Sequence, residues 1–362
     1  MTGPMLVYYW LGVVFVLGAI VGSFLNVVIA RLPLEKSILW PGSRCGKCLQ
    51  HIRWYDNLPL ISYLWLRGRC RTCGQRFSIR YLLVEVVCAL GFAGLFYAEV
   101  IVNVHGWPGA INGWALRHGI FPWSWWIGFG YHALLFALLL AAAVCDLDRR
   151  EIPLGITIPG TIVGVIGAAL LPWPWPNTPA AATPLAPEGF DPAFTWMARP
   201  ILEGIYAWPV WGPLPAPLAP GGNWETGLAT GLVGMLVGTF LLRTISFVFS
   251  AGLGKEALGL GDADLMMMAG AFLGWQIAVV AFFVSVAPAL VVGFCQLIFR
   301  KDNSLPFGPS LAAGIMATCL GWQRLGPYVQ PLFFWFGLMV GLTAALCVVM
   351  FLAAFTMRIL RG

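Results

Sequence analysis

Long apolar runs dominate this chain, and its few charged residues gather in the intervals between them. The runs lie at roughly 8–30, 81–101, 125–145, 154–171, 227–249, 265–299, and 307–322 with 332–357. About 20 residues of helix cross the hydrocarbon of a bilayer while satisfying their own backbone hydrogen bonds. The pattern therefore predicts an all-α polytopic membrane protein with eight or nine transmembrane helices, the stretch 265–299 forming one bent span or two. Composition agrees: 59% hydrophobic against 10% charged residues, over 362 positions, excludes a pair of ordinary soluble domains. The first run, YYWLGVVFVLGAIVGSFLNVVIA, has no Lys or Arg before it and Arg31 after it. A cleaved signal peptide has the opposite charge order and a shorter apolar core, so this run is read as an uncleaved span.

Charge orients the spans. Between 31 and 80 lie ten Lys or Arg residues against Glu35 and Asp56. Short loops rich in positive charge stay in the cytoplasm, which puts this loop inside and the N-terminus outside. Counting on, DLDRRE at 146–151 and LGKEALGLGD at 253–262 also fall inside, and both carry basic residues. Positive-inside topology accounts for the basic loop without nucleic acid, and anionic lipid headgroups are its natural counterpart. One segment departs from the pattern: 172–220 holds 13 of the 26 prolines, five tryptophans and a single basic residue, Arg199. Such proline density breaks any long helix, and the insert of about 172–226 is expected on the extracytoplasmic side, as an interfacial loop or a disordered linker.

Nine cysteines sort by position. Cys45, Cys48, Cys70 and Cys73 stand in the basic loop as CGKC and CRTC, with 21 residues between the pairs. Two such knuckles supply four thiolates for a tetrahedral, structural Zn²⁺. A redox pair is the alternative, disfavoured by a reducing compartment. His51 could replace one ligand, although four cysteines already fill the set. Cys88, Cys145, Cys295, Cys319 and Cys347 fall in or beside apolar runs and read as small packing residues. His105, His118 and His132 read as surface or interfacial groups near an outer loop.

The acids carry the chemistry. Only 15 occur, and four form two similar pairs, Asp146 with Asp148 in CDLDRREIP and Asp262 with Asp264 in GLGDADLM. Both pairs sit at an expected cytoplasmic membrane edge, where ionisable groups are expensive. Helix capping is one reading, and Asp262 or Asp264 before LMMMAGAFLGW suits it. The other brings one Asp of each pair together. Two close carboxylates share a proton, so one can activate water while the other polarises a peptide carbonyl. Gly259 and Gly261 would then let an extended substrate strand approach the backbone.

At this point the sequence resembles the prepilin peptidases, or type IV leader peptidases, a family of GxGD membrane aspartic proteases. GLGD at 259–262 fits the GxGD signature; GSFLNVVIARLP at 22–33, PGSRCGKC at 41–48, CDLDRREIP at 145–153 and LPFGPSLAAG at 305–314 are similar to further family segments, in order. The resemblance implies catalytic aspartates at Asp146 and Asp262, supporting roles for Gly259, Gly261, Asp148 and Asp264, and zinc on the four knuckle cysteines. It implies an endopeptidase that cuts the basic leader from type IV prepilins or type II secretion pseudopilins at the cytoplasmic face of a bacterial inner membrane. Many members also N-methylate the new N-terminus with S-adenosylmethionine, an activity of the cysteine-bearing region. The implied division is 1–101, containing the zinc loop of about 31–80, and a peptidase region at 125–362.

Two positions depart from the family. Leu154 stands where Asn or Asp usually follows the Ile-Pro, and Asp264 where Lys usually follows the GxGD aspartate. A transporter would place acids near the midplane of several helices, whereas here they cluster at one face. A non-catalytic scaffold with a zinc docking loop would tolerate loss of either aspartate.

Overall fold

The computed structural model describes residues 3–106, 122–171, 224–253, 259–299, 306–334 and 336–361. Helices α1 (Gly3–Arg31), α2 (Ile61–Trp65), α3 (Arg80–Phe96), α4 (Trp123–Arg149), α5 (Leu154–Leu170), α6 (Trp224–Leu253), α7 (Leu260–Leu273), α8 (Trp275–Phe299), α9 (Gly308–Phe334) and α10 (Phe336–Arg361) follow in chain order. All but the five-residue α2 are long, and no strand occurs among the described residues. Among the described residues five helices are long and apolar enough to cross a membrane, over Leu6–Leu34, Arg80–Ile101, Trp123–Arg149, Trp224–Gly252 and Trp275–Phe294. Large apolar side chains such as Tyr8, Leu17, Phe24, Phe240 and Phe294 point outward, as lipid-facing residues must. The stretch 265–299 resolves into two helices, because Gly274 between α7 and α8 adopts φ 83°, which ends α7. The Pro/Trp-rich insert lies outside the described residues apart from its last three positions, which open α6. The side chain of Cys295 and the position of His118 also lie outside them.

The chain forms two compact units, Met1–Ile156 and Thr157–Gly362. In the first, α1 and α3 cross closely and antiparallel. A Cβ on Gly18 would come within 2.8 Å of Ala89 Cα, and one on Gly22 within 2.8 Å of Glu85 Cα. This G-x-x-x-G seam lets the two backbones touch where no apolar solvent effect drives helices together in lipid. Asn26 extends the seam by donating to the Tyr81 carbonyl at 3.0 Å. Phe92 and Phe96 then meet Phe129 edge-on between α3 and α4, and Phe96 lies tilted against Trp126 at 33°.

In the second unit, α6 carries the corresponding stripe. Hypothetical Cβ atoms on Gly234 and Gly238 would lie 2.1 Å from the Gly270 carbonyl oxygen and 2.2 Å from that of Met266, so α7 lies directly on the α6 backbone. Between α8 and α9 the buried Gln330 amide donates to Gln276 at 2.8 Å, a satisfied polar pair in an apolar layer.

Candidate active site and zinc loop

The loop between α1 and α3 is built from a short internal repeat, RCGKCLQ and RCRTCGQ. Each copy closes on a single antiparallel bridge, Arg44 with His51 and Arg69 with Arg76. Each turns through a left-handed residue after its second cysteine, Leu49 at φ 58° and Gly74 at φ 67°. His51 is occupied in the first bridge, its Nε2 lying 3.1 Å from the Arg44 guanidinium, so the four cysteines stand as the ligand set. Cys45 Sγ lies 3.7 Å from Cys73 Sγ, and Cys48 Sγ 4.0 Å from Cys70 Sγ. A tetrahedral site with Zn–S bonds of about 2.3 Å needs sulfur edges of about 3.8 Å, so the set fits that ion.

Electrostatics point the same way. The amides of Cys48 and Lys47 hold the Cys45 thiol at about 6. The amides of Cys73 and Thr72 lower Cys70 likewise. Cys48 moves oppositely, to about 11: the Gln50 amide pulls it down, but burial and the adjoining thiols outweigh that pull. Four sulfurs this close cannot all ionise without a cation among them.

Polar contacts fasten the loop to its helices. Arg31, ending α1, donates to the carbonyls of Ser37 at 3.0 Å and Pro41 at 2.6 Å. Glu85 of α3 accepts the Leu60 amide at 2.8 Å, holding that residue at φ 61°. Arg71 grips Asp56 bidentately, Nε to Oδ2 at 2.9 Å, and the guanidinium keeps Asp56 below the usual carboxylate range. Beneath the loop lies a cavity of about 690 Å³, lined among others by Ser23, Asn26, Arg31, Asp56, Tyr81 and Glu85. Its size is that of a small-molecule site, and its wall combines apolar surface with converging polar groups. Spacing along the chain gave no hint of this cavity, because its lining comes from α1, the loop and α3 together.

The first acid pair lies in the last turn of α4. Asp146 is buried at 7% exposure, and its carbonyl accepts the amide of Arg150, the left-handed residue that closes the helix, at 2.8 Å. Asp148 is ion-paired with Arg80 at the start of α3, both side chains 30% exposed. Residues two apart on a helix point about 200° apart, so the two carboxylates of this pair face different surroundings.

The second pair opens α7. Gly259 is the N-cap residue, extended at φ −68° and ψ 143°, and no side chain caps the helix. A Cβ on Gly259 would meet nothing within 4 Å, so nothing among the described residues demands glycine at that position. Gly261 and Asp262 follow in the first turn, both half-buried. Asp264 is not a cap: the helix starts at Leu260, and Asp264 instead lies 3.6 Å from Arg243 of α6, with 13% of its side chain exposed. Asp264, standing where the family usually places a cation, thus meets a guanidinium from the neighbouring helix. Leu154, the other departure, is an exposed residue opening α5.

The histidine expectation needs correction. His105 and His132 are buried, at 0% and 1% exposure, and both contact the equally buried Glu99. Glu99 meets His105 across a turn and His132 from a different helix, so their position beside apolar runs suggested an interface instead.

Comparison with known proteins adds the lineage. Residues 16–99 match the family model of the bacterial peptidase A24 N-terminal domain, and residues 210–294 that of the type IV leader peptidase family. Asp262 falls inside the second match and Asp146 in neither. A prepilin leader peptidase/N-methyltransferase of Pseudomonas putida is 30% identical over 352 residues, covering 90% of this chain and 96% of that protein. The chain belongs to the type IV leader peptidase family. A Myxococcus xanthus protein of the same description is 33% identical over 284 residues, 78% of this chain, and the match spans 62% of that relative's length. The type 4 prepilin-like proteins leader peptide-processing enzyme of Escherichia coli is 31% identical over 340 residues, covering 87% and 93% of the two chains. No solved structure matches the chain.

Proposed function

We propose that this protein is a membrane endopeptidase that removes the basic leader of type IV prepilins or type II secretion pseudopilins at the cytoplasmic face of a bacterial inner membrane, with Asp146 and Asp262 as its catalytic pair. The observation that carries the assignment is the division within each D-x-D. Asp148 and Asp264 are each engaged with an arginine of a neighbouring helix, and the helical turn sends the first acid of each motif toward different surroundings. Asp262 lies among the first-turn amides of α7, which favour a carboxylate, and so acts as the base toward water. Asp146 holds the shared proton and passes it to the scissile carbonyl oxygen as Asp262 takes a proton from the attacking water. After attack, Asp262 passes the acquired proton to the leaving amine, the C–N bond breaks, and the proton left on the intermediate returns to Asp146. Gly259 and Gly261 leave room for an extended substrate backbone, and the apolar helix of the substrate remains in lipid. The peptidase region spans 125–362, with the N-terminus of the chain outside.

The cavity under the zinc loop favours a second activity, N-methylation of the new N-terminus by residues 1–101. Zn²⁺ on Cys45, Cys48, Cys70 and Cys73 has a structural role, folding a loop too polar to build its own core. S-adenosylmethionine supplies an electrophilic methyl group when bound. The cavity wall carries both signs, Glu85 and Asp56 against basic residues such as Arg31, Arg44 and Lys47, which suits a zwitterionic, hydroxyl-bearing ligand, and Asn26 and Tyr81 add polar contacts.

The test places the full-length protein in liposomes with a prepilin bearing a Gly–Phe junction and labelled S-adenosylmethionine. Cleavage and label transfer are expected from the parent, and loss of cleavage from Asp146→Ala and Asp262→Ala. Full cleavage by both variants would return the chain to the scaffold reading. Inactivity of Asp148→Ala with activity in Asp146→Ala would move the register by two residues.

A further inference from the structure

The described residues of the first unit contain a second convergence of metal-ligating groups, separated along α3 from the zinc loop. Glu99, His105 and His132 offer three donor atoms, all within 4.8 Å of one another. His105 Nε2 lies 3.0 Å and His132 Nδ1 2.8 Å from the same oxygen, Glu99 Oε1. The other carboxylate oxygen, Oε2, is buried with no hydrogen-bond partner. All three residues are at most 1% exposed.

The backbone is shaped around this cluster. After Phe96 the helix widens into a π-turn, Tyr97–Ile101, which carries Glu99. Such widened turns are frequent at functional sites because they redirect one side chain out of the α register. Asn103 at φ 53° and Gly106 at φ 62° then fold the chain back, with the Gly106 amide on the Asn103 carbonyl at 3.0 Å, and bring His105 beside Glu99. His132 arrives from α4, about two turns inside its start.

A carboxylate at zero exposure in an apolar layer is costly unless a positive partner accompanies it. We infer that Glu99, His105 and His132 form a second metal site, for a divalent ion of the zinc class, which pins the end of α3 to α4. Two imidazoles and one carboxylate are a known donor set for Zn²⁺. Bonds of about 2.0–2.1 Å in tetrahedral geometry put such donors about 3.3 Å apart, so the ligands need to part by only a few tenths of an ångström. The two sites differ in donor chemistry, imidazole and carboxylate against four thiolates, so a chelator removes their ions in separate phases. Seventeen residues of α3, about 25 Å of helix, lie between the zinc loop and the π-turn, so the two sites load independently.

The test measures zinc per chain by elemental analysis on full-length protein in micelles, after equilibration with Zn²⁺ and desalting. Two ions are expected in the parent, one in Glu99→Gln, one in the Cys48→Ser/Cys70→Ser variant, and a biphasic loss on chelator titration of the parent. Co²⁺ added to the Cys48→Ser/Cys70→Ser variant, whose histidine site is intact, should give a visible ligand-field band. That second readout does not depend on the folding of Glu99→Gln. One zinc in the parent, unchanged by Glu99→Gln, with no Co²⁺ band in the cysteine variant, would leave only a hydrogen-bonded carboxylate–histidine set and overturn the inference.

Discussion

The two aspartate motifs share a spacing but not a setting. CDLD closes a helix and GLGD opens one, so Asp146 stands among terminal carbonyls and Asp262 among terminal amides. In both, the helical turn sends the second acid away from the first, to Arg80 in one case and Arg243 in the other. A D-x-D on a helix is therefore two groups with two employments. One settles local charge against an arginine, and the other faces different surroundings.

Neutralising the two acids proposed as the catalytic pair should give the largest effect. Asp146→Asn and Asp262→Asn are each expected to lower single-turnover cleavage by about 10²–10⁴-fold, the usual worth of a positioned general acid or base. Loss of activity in Asp148→Asn to the same depth would erase the contrast. Next in size comes the seat of the second motif. Gly238→Val places side-chain atoms against the Met266 carbonyl, where backbone must move, and is expected to cost about 1–3 kcal/mol and to lower the midpoint of thermal unfolding. Gly12→Ala, at a position with open space, should leave the midpoint unchanged or slightly raised.

Smaller effects sharpen the contrast from the other side. Asp148→Asn and Asp264→Asn remove partly exposed ion pairs, worth about 0–1 kcal/mol, and should change cleavage less than about fivefold. The reversed pair Arg243→Asp with Asp264→Arg should recover what either single reversal loses, read as a double-mutant cycle on cleavage rate. The smallest effect belongs to a carboxylate–guanidinium pair outside both helices. Asp56 is held below the usual range by Arg71, so its contribution is complete above the unfolded value of about 3.9 and disappears as pH falls through its lower folded value. Protease resistance of the loop in Arg71→Ala should accordingly lose the acid-side component that the parent shows, in a titration at fixed zinc.

Legibility in the sequence followed the range of the physics. The spans, the knuckles and the D-x-D pairs were readable because each depends on neighbours a few residues apart. What was not readable depended on distant partners. Arg80 and Arg243 take up Asp148 and Asp264 across helix contacts that no periodicity encodes. Asp264 looked like a cap because the run after it is apolar, yet the helix had already begun at Leu260 behind an uncapped glycine. His132 inside an apolar run suggested an interface, whereas Glu99 on a different helix made the interior tolerable for it.

The glycine seam between α1 and α3 bears on the order in which the protein is made. Both helices can leave the translocon and find each other in lipid while the segment between them is still an open chain. Their crossing at Gly18 and Gly22 then holds the two ends of that segment close, so much of the loop-closure entropy is spent before any metal arrives. A bulky residue at Gly22 should therefore slow zinc acquisition during biogenesis even in chains that insert every helix.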